Sequence, residues 1–525
     1  MKNKIFALGA TLLLLTAWSC REENDVLKTY DHNDVLVFAA ADTSFAAKFQ
    51  IMWEGMNQYY NIWDYEAEQG VNWDAIYDEY YPQFAALDQR GKDETVTDDE
   101  LKTLMGKVLS PLHDGHFHFD IMNHKTGNMV VYNPSQERNK MREDFALAQT
   151  FAPNLAYYAN PANQQIETDE NGTPFYLEHS TRIQEVLAPF YKTPGYGYQW
   201  IEAKIKEMEA LSAPTEMQAF QLQQLKELYQ GLTVYRQNPA NINLYNSLQS
   251  KYDFLNVPGF DYFDPGFLQN GSRFIFALLK GNIAYFHVSN FYMTPYLNDA
   301  KSVQTFNMNN PATLNHVQRM REVWVKWINV VQLLHKAGML KGVIIDVRSN
   351  TGGMISDYQY CLGALLPSGG YQIGYNRVKR GYGRYDYSTL MPAIAGTMSE
   401  PHEVIDDIPV ALLCNCYTVS MGEMTTLGAK IMPNATVIGK RTWGGLCPLN
   451  ANQTFSLNYT GYIGVEGVTC VYGYVPYMAA LNLDKKFMEG QGIEPDIEVG
   501  LNTTMFASGE DSQLNRALQL IRDEN

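Results

Sequence analysis

The second half of the chain alternates short apolar runs with helical patterns, and this alternation limits the possible folds more than any other feature. Helical periodicity is found at Tyr358–Leu366 and Met421–Met432, between runs that are too short and too apolar to be anything but strands. The predicted strands are Asn282–Val288, Val343–Asp346, Val410–Leu413 and Ala435–Gly439. Strands that alternate with helices predict a parallel α/β sheet. Ligands of such sheets bind at the carboxyl ends of the strands.

The opening of the chain is predicted to be a small helical domain. Large apolar residues recur at helical spacing between Phe45 and Trp63, and a second amphipathic pattern covers Asp98–Leu109. A longer helical pattern at about Thr215–Tyr235 lies in a region rich in Asn, Gln and Tyr. We find no chemical motif in that region and interpret it as an inserted or substrate-facing domain.

The N-terminus has the layout of a secretory signal. Lys2 and Lys4 precede an apolar run at Ile5–Leu15 that is too short to span a bilayer. The segment Ala17–Cys20 resembles a bacterial lipobox, in which Cys20 becomes the lipidated N-terminus. A plain signal peptide with an incidental cysteine is the alternative. We expect a protein of the cell envelope, anchored by lipid to the membrane and facing the periplasm or the cell surface.

These patterns divide the chain into five segments. They are a signal peptide at 1–19 that ends before the lipobox cysteine, a tether at 20–44, a helical domain with a histidine motif at 45–125, a middle domain at 126–275 and an α/β core at 276–525.

Charge and cysteine content exclude two classes of function. The chain has 40 Lys and Arg against 57 Asp and Glu, so its net charge of −17 argues against sequence-independent nucleic-acid binding. No C-x-x-C pair is present, which argues against a thiolate zinc site. Cys447 and Cys470 could pair across a turn-rich segment, but sequence does not decide this. Aromatic residues make up 13 % of the chain and fit either large cores or a peptide- or glycan-binding surface.

One candidate for chemistry is the segment Asp346–Gly353, which follows a predicted strand directly. Two adjacent glycines at a strand end can bring backbone N–H groups against a ligand oxygen, as an oxyanion hole requires. A tight turn in which Asp346 and Arg348 only pair with each other is the equally weighted alternative. The G-x-G-x-x-G pattern of a dinucleotide site is absent.

Ser420 is the second candidate because it lies between a predicted strand and the helix that starts near Met421. The positive end of the helix dipole and the next N–H would stabilise an oxyanion at a nucleophile in this place. A serine in front of a helix is, by itself, more commonly an N-cap.

The third candidate is Leu112–Phe119, which holds three of the ten histidines of the chain. If the segment is extended, Asp114, His116 and His118 share one face. A serine nucleophile needs a base such as His116 within hydrogen-bond reach. Metal ligation by an H-x-H pair, as in amidohydrolases, is less well supported because no later His/Asp set completes a site. We therefore predict no metal, and structural roles for His113 and His118.

Six segments together resemble the tail-specific (C-terminal-processing) serine peptidases, and in particular their tricorn-like branch. They occur in the order that the family has. The segments are Leu112–His116, Gly281–Phe286, Lys341–Gly353, Tyr417–Glu423, Val437–Gly445 and Glu489–Asp496. The resemblance implies an α/β core of the ClpP/crotonase type, with an N-terminal helical domain and an inserted middle domain.

The resemblance also implies roles for individual residues. Ser420 would be the nucleophile and His116 the general base, and Glu489 would orient and polarise the site. The oxyanion hole would consist of the backbone N–H groups of Met421 and of Gly352 or Gly353. Supporting roles would belong to Asp114, Asp346 and Arg348.

The sequence departs from the family pattern at three places. The lysine of the Ser–Lys dyad of bacterial processing peptidases is absent from Thr442–Gly445, as it is from the tricorn-like branch, and Lys440 lies too early to replace it. The tricorn-like branch has a serine before its catalytic histidine, whereas this chain has Gly115. We find no carboxylate-binding loop of a PDZ-like module at residues 125–270.

The expected function is that of a lipid-anchored serine peptidase without a cofactor. It would hydrolyse peptide bonds in extracytoplasmic proteins or peptides, and its oligomeric state is open. A catalytically inactive peptide- or glycan-binding lipoprotein on the same fold is the first alternative, and a metal-dependent amidohydrolase is the second.

Overall fold

The structure analysed is a computed structural model that describes residues 44–524 with internal gaps. The gaps are 91–94, 161, 182–195, 238–243, 245–246, 249–250, 256–271, 307, 310, 367–369, 382, 397–402, 449–461, 466–467 and 477. The predicted signal peptide, Cys20 and the tether as far as residue 43 lie outside the described residues. Among the described helices, none combines the length and the apolar character that a membrane crossing requires.

The described elements alternate between helical and sheet-forming stretches along the chain. The strands are β1 (His118–Asn123), β2 (Asn128–Tyr132), β3 (Tyr176–Thr181), β4 (Ser272–Leu279), β5 (Ile283–Val288), β6 (Gly342–Asp346), β7 (Tyr371–Val378), β8 (Met391–Ala395), β9 (Val410–Cys414), β10 (Ala435–Gly439), β11 (Tyr462–Val465), β12 (Val468–Tyr474), β13 (Met478–Leu481) and β14 (Ile497–Glu498). The α-helices are α1 (Phe45–Tyr59), α2 (Trp63–Glu68), α3 (Trp73–Asp88), α4 (Asp98–Leu109), α5 (Pro134–Asn139), α6 (Phe145–Thr150), α7 (Ala156–Ala159), α8 (Tyr196–Glu209), α9 (Glu216–Gln237), α10 (Thr294–Leu297), α11 (Asp299–Thr305), α12 (Pro311–Lys336), α13 (Gln359–Leu362), α14 (Met421–Ile431), α15 (Thr503–Ala507) and α16 (Ser512–Asp523).

A seven-stranded sheet with the order β14-β10-β9-β6-β5-β4-β3 forms the centre of the molecule. From β5 to β14 the neighbouring strands are parallel, whereas β4 and β3 pair antiparallel at one edge. The predicted α/β fold class is confirmed. Because β6, β9 and β10 are parallel neighbours, the loops that follow Asp346, Cys414 and Gly439 all leave the sheet on the same side, at the carboxyl ends of the strands.

Helices cover both faces of this sheet, which explains why β6 and β9 are apolar at almost every position. On one face, Trp327 of α12 stacks on Phe286 of β5 with ring centroids 5.0 Å apart. On the other face, Leu518 and Ile521 of α16 belong to the same buried cluster as Ile344 of β6. A strand enclosed on both faces has no polar side to present to water.

The N-terminal helices do not form a separate body. They pack against the loops at the carboxyl ends of the central strands. Their buried cluster includes Leu427 of α14 as well as Leu446 and Ile493. A bidentate ion pair adds to this contact, since the Arg377 guanidinium binds both carboxylate oxygens of Asp64 at 2.6 Å.

Two smaller sheets complete the fold, with the orders β11-β12-β1-β2 and β13-β7-β8. In the middle region, α8 and α9 share a small buried cluster of their own. Two of the predicted domain boundaries lie within sheet structure. The boundary at 125/126 falls in the β1–β2 turn, and the boundary at 275/276 falls inside β4.

One local expectation differs from the structure, and two further points that the sequence left open are described by it. The helix predicted at Tyr358–Leu366 is a short α-helix, α13, followed by a 3₁₀ turn at Gly363–Leu365, because Leu366 is extended in front of Pro367. The histidine motif is not extended throughout, since Asp114 folds back on the backbone and β1 begins only at His118. Cys447 is a free, buried thiol, so it does not pair with Cys470.

Asp346 and Arg348 form a fully buried ion pair beneath the end of β6. Arg348 Nη2 binds Asp346 Oδ2 at 2.6 Å, and Arg348 Nη1 binds Asp511 Oδ2 at 2.7 Å. Tyr285 donates a further hydrogen bond to Asp346. Since Asp511 caps α16, these charges fasten the C-terminal helix to the central sheet. The supporting role predicted for the pair is therefore a structural one within the fold.

We expect Asp346→Asn to lower the free energy of unfolding by about 3 kcal/mol at pH 7, because it removes one partner of a buried pair. Arg348 holds the pKa of Asp346 well below its usual range. The stabilisation is therefore present above about pH 4 and is lost as the pH falls further, so the difference between parent and variant should shrink there. Denaturant unfolding at several pH values measures it.

Glu498→Gln is the matched control for this experiment. It neutralises a carboxylate that pairs with Lys440 but is 67 % exposed, so the expected loss of stability is much smaller than that of Asp346→Asn. Equal losses for the two variants would contradict the structural role of the buried pair.

Candidate active site

Ser420 occupies a strained position between β9 and α14. Its backbone angles are φ 55° and ψ −118°, which L-residues rarely adopt, and its side chain makes no capping hydrogen bond to the helix. The N-cap role that a serine usually has in this place is therefore not realised. The half-buried hydroxyl is instead carried on a sharp strand-to-helix turn, a geometry typical of nucleophile elbows.

Hydrogen bonds from the two neighbouring loops hold this turn. Val419 donates its backbone N–H to the carbonyl of Asn350, and Ser420 donates to the carbonyl of Gly445 at 3.0 Å. Thr418 Oγ1 donates to the carbonyl of Val347. The loops after β6 and β10 thus fix the backbone of the serine from both sides.

Gly352 lies directly against Ser420. A Cβ atom at Gly352 would lie 2.4 Å from the Cβ of Ser420 and 3.0 Å from its Oγ, so this approach needs glycine. The Gly352 N–H donates to Asn350 Oδ1 at 2.8 Å, and the Gly352 carbonyl accepts from Phe291. Within the described part of the chain the Gly353 N–H makes no hydrogen bond. Of the two glycines, Gly353 therefore has the available donor.

The Met421 N–H is the other predicted oxyanion donor. Met421 is the first residue of α14, where backbone N–H groups have no acceptor within the helix. The group lies close to the same glycine, since a Cβ at Gly352 would be 3.0 Å from the Met421 nitrogen.

His116 lies in a bend whose shape is set by Asp114. One oxygen of Asp114 accepts the backbone N–H groups of His116 at 2.8 Å and of Phe117 at 2.9 Å. Both ring nitrogens of His116 are buried and have no hydrogen-bond partner among the described residues, so the bond to Ser420 is not formed here. Burial lowers the pKa of His116 to about 4. The imidazole is therefore neutral at neutral pH.

Gly445 brings His116 and Ser420 together from distant parts of the chain. Its carbonyl accepts the Ser420 N–H, and a Cβ added to Gly445 would lie 3.3 Å from Nδ1 of His116. The histidine ring and the serine thus adjoin the same residue. Lys440, in contrast, pairs with Glu498 at the surface, which agrees with the absence of a Ser–Lys dyad.

Glu489 is fully buried beside His116. Its Oε1 accepts the Gly115 N–H at 2.7 Å, and its Oε2 accepts the N–H groups of Leu446 and Cys447 at 2.9 Å. Burial and the negative charge of Asp114 raise the pKa of Glu489 well above its usual range. Three backbone donors fix the carboxylate in place.

Gly115 replaces the serine of the tricorn-like pattern for a steric reason. A Cβ at this position would lie 2.1 Å from the carbonyl oxygen of Gly444 and 2.3 Å from the Cα of Gly445. The close approach of the two loops leaves no room for a side chain. The backbone N–H of Gly115 contacts Glu489.

Asp114 is a second buried carboxylate beside His116, in addition to Glu489. Burial raises the pKa of Asp114 to about 7, and its Oδ2 has no hydrogen-bond partner among the described residues. His113 and His118, predicted to be structural, make contacts with Glu66 and Asp120 at 2.8 and 2.9 Å.

Glu423 lies at the centre of the site, although the sequence patterns predict no role for it. Its carboxylate accepts Thr442 Oγ1 at 2.6 Å and the N–H groups of Gly444 and Gly445 at 2.7 and 2.6 Å. Burial raises the pKa of Glu423 to about 7. An acidic residue three positions after Ser420, in the first turn of a helix, was the available signal.

Comparisons with known proteins extend this description. Residues 282–499 match the model of peptidase family S41. The tricorn protease of Thermoplasma volcanium is 27 % identical over 180 residues, which are 34 % of this chain and 14 % of that protein. Tricorn protease homolog 1 of Streptomyces coelicolor is 23 % identical over 195 residues, 37 % of this chain and 15 % of its own length. The chain thus matches only about one seventh of these relatives.

Among solved structures, mature CPAF aligns with 93 % of this chain and 99 % of its own, with 9 % identity and a TM-score of 0.44. The family match covers five of the six segments that carried the resemblance, from the strand at Gly281–Phe286 to Glu489–Asp496. The resemblance to tail-specific, tricorn-like serine peptidases is therefore confirmed, and the match to peptidase family S41 extends over residues 282–499.

Proposed function

We propose that this protein is a serine peptidase that hydrolyses peptide bonds in extracytoplasmic proteins or peptides. The observation that carries the proposal is that Ser420 and His116 both contact one residue, Gly445. The backbone of the serine is strained, and the histidine is neutral. A serine hydroxyl held beside a neutral imidazole is the arrangement that nucleophilic catalysis needs.

In the proposed mechanism, Ser420 attacks the carbonyl carbon of the scissile bond while His116 accepts the hydroxyl proton. The bond between serine and histidine forms when the ring turns toward the substrate-bound serine, since catalytic hydrogen bonds commonly tighten in the substrate complex. The imidazolium then gives its proton to the leaving amine. Water, activated by the same ring, hydrolyses the acyl-enzyme and regenerates the serine.

The carboxylates of Glu489 and Asp114 serve this proton transfer. Their ligand atoms and those of His116 all lie within 4.8 Å of one another, so either carboxyl group, when it is ionised, places negative charge next to the imidazolium as it forms. Glu489 also orients the histidine loop through the Gly115 N–H. Glu489 is therefore a positioning residue that favours the charged state of the base.

The oxyanion would be held by the N–H groups of Met421 and Gly353. Each such donor contributes on the order of 3 kcal/mol to stabilisation of the transition state. Gly352 contributes by its shape, because its lack of a side chain allows the loop to approach Ser420.

We further propose that the protein acts in the cell envelope, attached by lipid at Cys20 after removal of residues 1–19. The support is the order of basic residues, apolar run and lipobox at the N-terminus. A polypeptide substrate outside the cytoplasm follows from this location together with the proposed chemistry.

Replacing Ser420 by Ala should reduce hydrolysis of an unstructured protein by at least about 1,000-fold, because no other group replaces the nucleophile. A fluorophosphonate probe should label the parent at Ser420 and leave the variant unlabelled. Mass spectrometry of the labelled peptide and a proteolysis assay provide the measurements.

Ser349→Ala controls for a merely strained serine. Ser349 is also half-buried and has a φ of 56°, but it lies in the loop after β6, and its variant should keep the label on Ser420. Equal hydrolysis by parent and Ser420→Ala would refute the proposed mechanism. A folded parent with neither label nor hydrolysis would favour the inactive binding protein.

The contact between Gly352 and Ser420 gives a second test. Gly352→Ala should lower kcat/KM at least about 100-fold, because its new Cβ overlaps the serine and displaces it from the oxyanion donors. Gly281→Ala is a matched control: its φ of +88° is close to the +86° of Gly352, but a Cβ there meets nothing within 4 Å.

Both alanine variants share the backbone strain of about 1 kcal/mol that a left-handed alanine imposes. The melting temperature of Gly352→Ala should fall further than that of Gly281→Ala, because its Cβ also overlaps Ser420, and only Gly352→Ala should lose activity. Full activity in Gly352→Ala would show that this loop does not frame the serine.

A further inference from the structure

Three side chains of the site form a cluster with the composition of a metal centre. A carboxylate oxygen of Asp114, a ring nitrogen of His116 and a carboxylate oxygen of Glu489 all lie within 4.8 Å of one another. One imidazole and two carboxylates are a ligand set that Zn²⁺ accepts, with a fourth position left open. The imidazole makes the cluster less suited to Mg²⁺ or Ca²⁺, which prefer oxygen ligands.

A second observation points independently to a ligand. Asp114 is fully buried, and its Oδ2 has no hydrogen-bond partner in the part of the chain that the structure describes. The same holds for both ring nitrogens of His116. Buried polar atoms are nearly always paired, since an unpaired one costs about 1–3 kcal/mol. A cation between these atoms would satisfy an acceptor on each of the two residues.

The remaining lone pairs of the two carboxylates are already fixed by backbone donors. The other oxygen of Asp114 accepts two N–H groups, from His116 and Phe117. Glu489 accepts three N–H groups, one of them from Gly115 on the histidine loop. Such contacts orient metal ligands, and each carboxylate keeps an acceptor site: among the described residues, Oδ2 of Asp114 has no partner and Oε1 of Glu489 accepts only the Gly115 N–H.

The required movement is small. Zinc–ligand bonds of about 2.1 Å place tetrahedral ligand atoms about 3.4 Å apart, so atoms that now lie within 4.8 Å must approach by little more than about 1 Å. Small movements of the Asp114 and His116 side chains toward the fixed carboxylate of Glu489 would supply this. The like charges of the two carboxylates oppose that approach in the empty cluster, and a divalent cation reverses the sign of the interaction.

We propose that Asp114, His116 and Glu489 bind one Zn²⁺-class ion, and that the bound ion inhibits the peptidase. Inhibition follows because a metal-bound ring nitrogen of His116 cannot accept the serine proton. This second part rests on the proposed function, whereas metal binding does not. The ion is thus an inhibitor in this proposal, which is the opposite of the role it has in a metal-dependent amidohydrolase.

Zinc binding is measured on the full chain carrying Ser420→Ala, so that the readout is independent of catalysis. The protein is treated with a chelator, dialysed and titrated with Zn²⁺ in competition with a chromophoric chelator. We expect one ion per chain. Adding His116→Gln or Asp114→Asn should weaken binding at least about tenfold, since each removes a ligand.

His335→Gln is the matched control in the same background. His335 also lies close to a carboxylate, with its Nε2 2.6 Å from Oδ1 of Asp407, but that pair is at the surface and outside the cluster. Its affinity for zinc should equal that of Ser420→Ala. Melting temperatures establish that each variant is folded, and His116→Gln alone decides the matter if Asp114→Asn does not fold.

With the parent protein, micromolar Zn²⁺ should reduce hydrolysis, a chelator should restore it, and Mg²⁺ should have no effect. Binding of less than one ion, or equal affinity in His116→Gln, would overturn the metal site. Loss of hydrolysis on chelation would overturn its inhibitory role. The two proposals can also fail separately. If the parent binds one ion that His116→Gln does not bind, the metal site is upheld; if the same parent never hydrolyses protein, the proposed function is refuted.

Discussion

The carboxylate of Glu423 holds together the part of the molecule on which the candidate site depends. It binds Thr442 and the N–H groups of Gly444 and Gly445, and so fixes the loop after β10 to the start of α14. The carbonyl of Gly445 in turn receives the Ser420 N–H, and the carbonyl of Gly444 receives that of Gly490, next to Glu489. One buried side chain therefore sets the spacing between serine, histidine loop and second glutamate.

The three buried carboxylates of the site, Asp114, Glu423 and Glu489, are electrostatically costly, and backbone N–H groups compensate for them. Glu489 receives three such donors, while Asp114 and Glu423 receive two each. The raised pKa values of all three groups express the remaining cost of burial. The low pKa of His116 has the same origin, because burial disfavours the charged form of acids and bases alike.

The site also requires two regions of the chain to pack as one body. Ser420 belongs to the central sheet and its helices, whereas His116 follows the N-terminal helices, and the buried cluster that includes Leu427 and Leu446 joins the two. The Asp64–Arg377 pair lies in the same contact. Ser420 and His116 therefore come together only when the helical region is docked on the core.

The sequence by itself determined the alternation of strands and helices, and with it the α/β class, because these patterns depend on residues that are neighbours along the chain. Strand β10 and helix α4 have the predicted bounds for this reason. The order of the six motifs likewise led to the S41 resemblance. Helix α13 is shorter than predicted because a proline just beyond the helical pattern ended it.

Only the tertiary structure decided how the candidate residues meet. The role of Glu423, the choice of Gly353 over Gly352 as a free donor and the need for glycine at position 115 all depend on atoms from loops far apart in sequence. Such contacts have no periodic signature, since they arise when three loops converge at the carboxyl edge of one sheet. The sequence showed which chemical groups are present, whereas their relative positions depend on how the loops pack.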